Sequence, residues 1–131
     1  MITLPDTPYL YDAEVVRCID GDSVWLRLTK TVKIDFGFKI IDTQTKETVQ
    51  NFRLTGINAP EIRGDQRQAG LVAKDQLQKF LDAAIALKVH TYKSGKYGRY
   101  LVTIYAEQPD GTYLNLNEEM IRSGHADKYL K

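Results

Sequence analysis

The sequence predicts a small, mainly β domain of the α+β class. It is a five-stranded barrel with one helix between its third and fourth strands and a short helix near the C-terminus. Three observations carry this expectation. Apolar and polar residues alternate in several short runs, the period of half-buried strands. One longer segment switches to helical spacing. Turn residues separate the runs at short intervals. At 131 residues the chain suits a single domain, 1–131, with enough length to bury its own core.

The elements follow in order. "VWLRL" sets Val24, Leu26 and Leu28 on one side. Val32, Ile34, Phe36, Phe38 and Ile40 alternate with Lys33, Asp35, Gly37 and Lys39 as a second strand, "DTQTKET" is a polar turn, and "VQNFRLTGI" returns as the third strand. In "DQRQAGLVAKDQLQKFLDAAIA" the residues Ala69, Ala73, Leu77, Phe80, Leu81 and Ala84 recur at helical spacing, with Asp65 placed to cap the helix start. "LKVHTY" and "YLVTIYAE" are the last two strands, joined by the basic loop "KSGKYGR" and followed by the turn "QPDG". "LNEEMIRSG" is the short helix, with Asn117 expected as N-cap and Gly124 just past its end. Strand–strand–strand–helix–strand–strand is the order of an OB-type barrel.

Composition narrows the function classes. Hydrophobic residues make up 43%, charged residues 27%, and the net charge is +1, so no global basicity announces a nucleic-acid partner. Charge is instead distributed unevenly. Asp6, Asp12, Glu14, Asp20 and Asp22 crowd the N-terminal run against Arg17 alone, whereas Lys88, Lys93, Lys96 and Arg99 stand in an acid-free stretch from Ala83 to Ala106. Such asymmetry suits a cation at one place and an anion at another, or two solvated faces of opposite sign. Cys18 is the only cysteine, which excludes an intrachain disulfide and a thiolate metal site. No apolar run reaches transmembrane length, and no basic segment followed by an apolar one opens the chain. The expectation is a cytoplasmic monomer with no membrane partner, a secreted mature form cut from a longer precursor being the other reading.

Three places carry candidate chemistry. Asp20 and Asp22, two apart, share a face in an extended chain, and paired carboxylates suit a hard cation; a turn that uses Asp and Gly for backbone tolerance is the other reading. In "FRLTGINAPEIRG", Arg53 leaves its strand opposite Phe52 and Leu54, and Glu61 follows Pro60. The arginine fork matches two phosphate oxygens and the carboxylate can hold or deprotonate water; a surface ion pair is the alternative. In "KSGKYGRY", Lys96, Tyr97 and Arg99 interleave charge with a stacking ring, as nucleotide-binding segments do; a bare basic hairpin loop is equally compatible.

Taken together, "VVRCIDGDSVWLRL", "FRLTGINAPEIRG", "KYGRYLVTIYAEQPDG" and "LNEEMIRSG" resemble the staphylococcal nuclease family, over nearly everything from Glu14 to Lys128. The resemblance implies a calcium-dependent phosphodiesterase on an OB-type barrel, cutting DNA or RNA with little sequence preference. It further implies Asp22 and the Ala59 carbonyl as calcium ligands, with Asn58 at a third ligand position and Asp20 beside the metal. Glu61 would handle the attacking water, Arg53 and Arg99 would bind the phosphate and its transition state, and Lys96 and Tyr97 would touch the nucleotide.

Three departures qualify that implication. Asn58 stands where the best-known members carry aspartate; its amide oxygen still suits calcium, but one charge is lost and weaker binding is expected. The segment from Lys30 to Asn51 is longer than in the short members. Tyr129 matches only loosely the family's late nucleotide-contacting tyrosines, and the family's last helix is not expected within the chain. The alternative function is a catalytically impaired OB-fold that binds single strands, for which Arg53, Glu61 and Arg99 together would be superfluous. His90 and His125 are too far from other candidates to suggest a histidine-based nuclease.

Overall fold

A computed structural model describes residues 2–92 and 100–129. Among the described residues, strands β1 (Leu10–Asp20), β2 (Ser23–Asp35), β3 (Ile41–Leu54), β5 (Ala86–Tyr92), β6 (Tyr100–Glu107) and β7 (Tyr113–Asn115) form one sheet, in the order β3-β2-β1-β5-β6-β7. A two-residue strand, β4 (Ile57–Asn58), pairs separately with β8 (Asp127–Lys128). Helix α1 (Arg67–Ala83) lies between β4 and β5, and α2 (Leu116–Arg122) follows β7. The sheet thus has six strands instead of the five expected. β1 escapes a simple pattern because its pairing with β2 is bulged between Val15 and Arg17. The extra residue, Val16, breaks the period-two alternation and turns outward.

At one end of the sheet β3 also pairs with β6, in parallel, through Phe52–Tyr100, Arg53–Leu101 and Leu54–Val102. The core lies on the inner face. Val24 and Leu26 of β2, Leu54 of β3, Val89 of β5 and Ile104 of β6 are fully buried. Ala73, Leu77 and Leu81 of α1 are buried with them, and Leu116 and Met120 of α2 complete the cluster. Each buried Leu or Val contributes roughly 1.5–3 kcal/mol of apolar transfer.

The hairpin between β2 and β3 departs from the sequence reading. The turn is at 36–40, and "DTQTKET" lies inside β3. Asp35 fixes the turn by accepting the Gly37 N–H at 2.8 Å, and Gly37 takes φ of 83°, a conformation open to glycine. Val32, Ile34, Phe36, Phe38 and Ile40, expected to share a core-facing strand, are all exposed. Two strands alone offer them no second layer, so the ribbon has no inner face at its tip.

Helix ends differ as well. Asp65 belongs to a short 3₁₀ turn, Gly64–Gln66, and the α1 N-cap is Gln66 without a side-chain bond. Ala69 is exposed, and Gly70 takes its place on the buried face. The α2 N-cap is Asn115, whose side chain accepts the Glu118 N–H, and not Asn117. Gly124 stands where expected, at φ 80° one residue past the C-cap, donating to the Ile121 carbonyl.

Candidate active site

The site is assembled at the junction of the β1–β2 turn, the end of β3 and the β4 segment. β1 stops at Asp20, so Gly21 and Asp22 form a turn and are not a continuing strand. The Asp22 N–H donates to Asp20 Oδ1 at 3.3 Å, and the Asp22 carbonyl accepts the Leu54 N–H at 2.9 Å. Gly21 is required by crowding. A Cβ there would come within 2.8 Å of the side chains of both Ala59 and Ala73, so the turn can lie against α1 only without one.

The Asp22 carboxylate is buried, and its Oδ2 accepts two hydrogen bonds, from Arg53 Nη1 at 3.2 Å and from the Ala59 N–H at 2.9 Å. Arg53 leaves β3 on the side opposite Phe52 and Leu54, as alternation requires. Its Nη2 donates to the Ile57 carbonyl at 3.1 Å and to Asn58 Oδ1 at 3.3 Å, and its guanidinium lies 5.6 Å from the Tyr129 ring centroid. Three of the five N–H groups of a guanidinium are therefore engaged, and the fork is held in one orientation. The Thr55–Gly56 turn, with Gly56 at φ 80°, reverses the chain and brings Asn58 back to Arg53.

Asp20 is half-buried. Burial pushes its carboxyl up to about 6, helped by the side-chain hydrogen bond with Asp22 and by the charge of Asp22, while the Asp22 N–H and Arg53 pull it down. Two carboxyls crowded together favour a proton or a cation between them. Cys18, nearby on β1, is pushed up to about 11 by burial, which makes it a packing residue rather than a nucleophile.

Glu61 is exposed. Its Oε2 accepts from Arg63 Nε at 2.8 Å, and its N–H donates to Gln66 Oε1 at 3.2 Å. Arg63, to which sequence reasoning assigned no part, is thus a partner of this carboxylate among the described residues. Both side chains are well exposed, so the pair is worth ~0–1 kcal/mol and can be exchanged for another partner. Beneath it, Gly70 lets α1 touch the backbone at Glu61, since a Cβ there would lie 2.4 Å from the Glu61 carbonyl oxygen. Glycine inside a helix costs about 1 kcal/mol relative to alanine. Sequence reasoning missed Gly70, although a glycine breaking the apolar stripe of a helix is the signal that would have found it.

Asn117, expected as an N-cap, has a different part. Buried in α2, it accepts the Ile104 N–H at 3.1 Å and donates to the carbonyls of Thr55 and Val102 at 2.9 and 3.0 Å. It ties α2 to β6 and to the turn that follows Arg53. Lys96, Tyr97 and Arg99 lie outside the described residues.

As to a metal, the side chains gathered here offer carboxylate and amide oxygens and no nitrogen or sulfur donor, the chemistry of a hard cation. Among the described residues no group of three or more His, Cys, Asp or Glu side chains is positioned to hold a metal ion. A cation would rely on Asp22, the Asn58 amide and a backbone carbonyl such as that of Ala59, and would share Asp22 with Arg53.

The result is a mostly β domain in which a buried carboxylate orients an arginine at the end of β3. Comparison with known proteins specifies the kind. The staphylococcal nuclease homologue family matches residues 51–131, and the chain belongs to that family. The match takes in Arg53, Asn58, Ala59 and Glu61; Asp20 and Asp22 precede it. Over 133 residues the chain is 26% identical to the uncharacterized protein MJ1439 of Methanocaldococcus jannaschii, covering 95% of this chain and 62% of that protein. Domains of this family are generally nuclease-like. No helix among the described residues is long and apolar enough to cross a membrane.

Proposed function

We propose that the chain is a one-domain, calcium-dependent nuclease that hydrolyses phosphodiester bonds of DNA or RNA with little sequence preference. Its scaffold is read as an OB-type barrel of β1, β2, β3, β5 and β6, joined by the β3–β6 pairing. The observation that carries the functional reading is the convergence of Asp22, Arg53, Asn58 and the Ala59 backbone on one point.

Hydrolysis of a phosphodiester gathers negative charge on the phosphoryl oxygens, so preoriented cations provide most of the rate gain. Arg53, fixed by Asp22 and the Ile57 carbonyl, keeps N–H groups to present to a phosphate. Arg99 is the second arginine in this reading. Glu61 takes the proton of the attacking water, and its exposed contact with Arg63 is weak enough to yield. Asp22, Asn58 and the Ala59 carbonyl would hold calcium, with Asp20 beside them; when bound, the ion supplies positive charge against a phosphoryl oxygen. Lys96 and Tyr97 would contact the nucleotide. The second reading, a binder of single strands without catalysis, draws on Asn58, which lacks the charge of an aspartate at the calcium site.

The deciding experiment incubates plasmid, denatured DNA and RNA with the protein, in calcium or in chelator. Cleavage in calcium alone is expected, and Glu61→Gln and Arg99→Ala should each lose about 10²–10³ in rate or more while remaining folded.

A further inference from the structure

On the opposite side of β3 from Arg53 lies a cavity of about 460 Å³, a size that suits a small organic ligand. Its lining includes Tyr11, Phe52, Tyr92 and Tyr100, with Lys30 and Lys46 at the rim. Phe52 and Arg53 are neighbours on one strand and point to opposite faces, so this cavity is separate from the site described above. No role has been given to it.

Two features define what it would hold. The first is charge. Lys30 and Lys46 stand directly opposite one another in the β2–β3 ladder, so both side chains rise from the same face. Like charges in that position repel, and a pair of them in a ladder is destabilising unless an anion lies between. Lys30 is steadied there by the Pro8 carbonyl and by the Tyr11 ring, 5.1 Å from its Nζ. The carboxylate at the rim, Glu47, is drawn to Arg27 at 3.8 Å and not to either lysine. The second feature is the aromatic wall. Phe52 and Tyr100 have ring centroids 6.2 Å apart and are inclined at 51°, and Tyr92 and Tyr100 each keep substantial exposed surface. His90 packs against one side of Tyr92, with ring centroids 4.3 Å apart, so the surface on offer is what both tyrosines keep exposed. Such rings close to a pair of ammonium groups match a base attached to a phosphate.

We propose that this cavity is a nucleotide-binding site, seating a base against Tyr92 and Tyr100 and its phosphate between Lys30 and Lys46. The ligand is a nucleotide unit, whether free or within a single strand. The longer β2–β3 hairpin builds its outer wall and supplies Lys46. The inference rests on the cavity's own lining and stands whether or not the chain cleaves nucleic acid.

The test is fluorescence anisotropy with a labelled short oligothymidylate in chelator, which suppresses cleavage. Thymidine monophosphate and inorganic phosphate serve as competitors. Lys46→Glu, an exposed position, and Tyr100→Ala should each weaken oligonucleotide binding about tenfold or more. Hydrolysis of a small chromogenic thymidine phosphodiester by Lys46→Glu should match the unaltered protein. Competition by the mononucleotide would mark a free nucleotide as ligand; competition by longer strands only would mark a nucleotide within a strand; either supports the site. Oligonucleotide affinity unchanged in both variants, or inorganic phosphate competing as well as the mononucleotide, would overturn it. Loss of cleavage with pocket-dependent binding intact would count against the nuclease reading alone.

Discussion

Asp22 and Arg53 form an ion pair of 3.2 Å between side chains only 8% and 19% exposed, and the same carboxylate oxygen accepts the Ala59 N–H. One aspartate therefore orients the arginine and fixes the backbone of the β4 segment. Replacing Asp22 by Ala strands a half-buried guanidinium and a buried N–H together. A loss of about 2–4 kcal/mol is expected in urea unfolding, and Arg53→Ala in the Asp22→Ala background should cost less than it does alone, because the partner is already gone.

Asn117 makes three hydrogen bonds in the core, to Ile104, Thr55 and Val102. Asn117→Leu leaves the Ile104 N–H and the Thr55 carbonyl without that partner, while the Val102 carbonyl still accepts the Thr55 N–H, and each orphaned buried group costs about 1–3 kcal/mol. The urea midpoint should fall steeply with the slope unchanged. A change in slope alone would argue that Asn117 acts on the unfolded chain.

Gly70→Ala separates helix propensity from packing. On propensity the variant gains about 1 kcal/mol. Contact of the new methyl with the Glu61 carbonyl, 2.4 Å away, works against it and should win, since both atoms belong to backbone-fixed positions. The expected result is a lower Tm together with a displaced Glu61 and reduced cleavage. A higher Tm with full activity would show that α1 can shift away at no cost.

The sign of the pH dependence follows from Asp20. Its folded value of about 6 lies above the ordinary 3.8, so the folded chain holds this proton more tightly than the unfolded one. Stability from that proton is complete below pH 3.8 and is lost as pH rises through about 6. Asp20→Asn carries no such penalty. Measured in chelator, its Tm should exceed that of the unaltered protein at pH 8 and the difference should close toward pH 4. A difference independent of pH would remove Asp20 as the cause.

How legible this molecule is in its sequence depends on whether local pattern and tertiary context agree. Val24, Leu26 and Leu28 alternate and are buried, because a second layer covers their strand. The same pattern continues through Val32 and Ile34, but there the ribbon runs beyond that layer and the side chains are exposed. Alternation reports an extended chain and does not say what lies across from it. Asn117 has the right type for an N-cap, yet the helix starts after Asn115 and Asn117 is spent on three backbone groups distant in sequence. Asp22 and Arg53 were recognisable as chemistry, whereas their pairing was not, since they meet only after β2 and β3 align Ser23 with Arg53. Gly21 and Gly70 carry no chemical group to notice; their role exists only in the contacts a methyl would make.

The central claim, an active calcium-dependent phosphodiesterase, is tested most directly by the rate of cleavage of denatured DNA as calcium is raised, for the unaltered protein and for Asn58→Asp. The account predicts cleavage that chelator abolishes, and a calcium requirement that falls when Asp replaces Asn58, because a full charge joins Asp22 at the metal. DNA bound but left intact through millimolar calcium would contradict it.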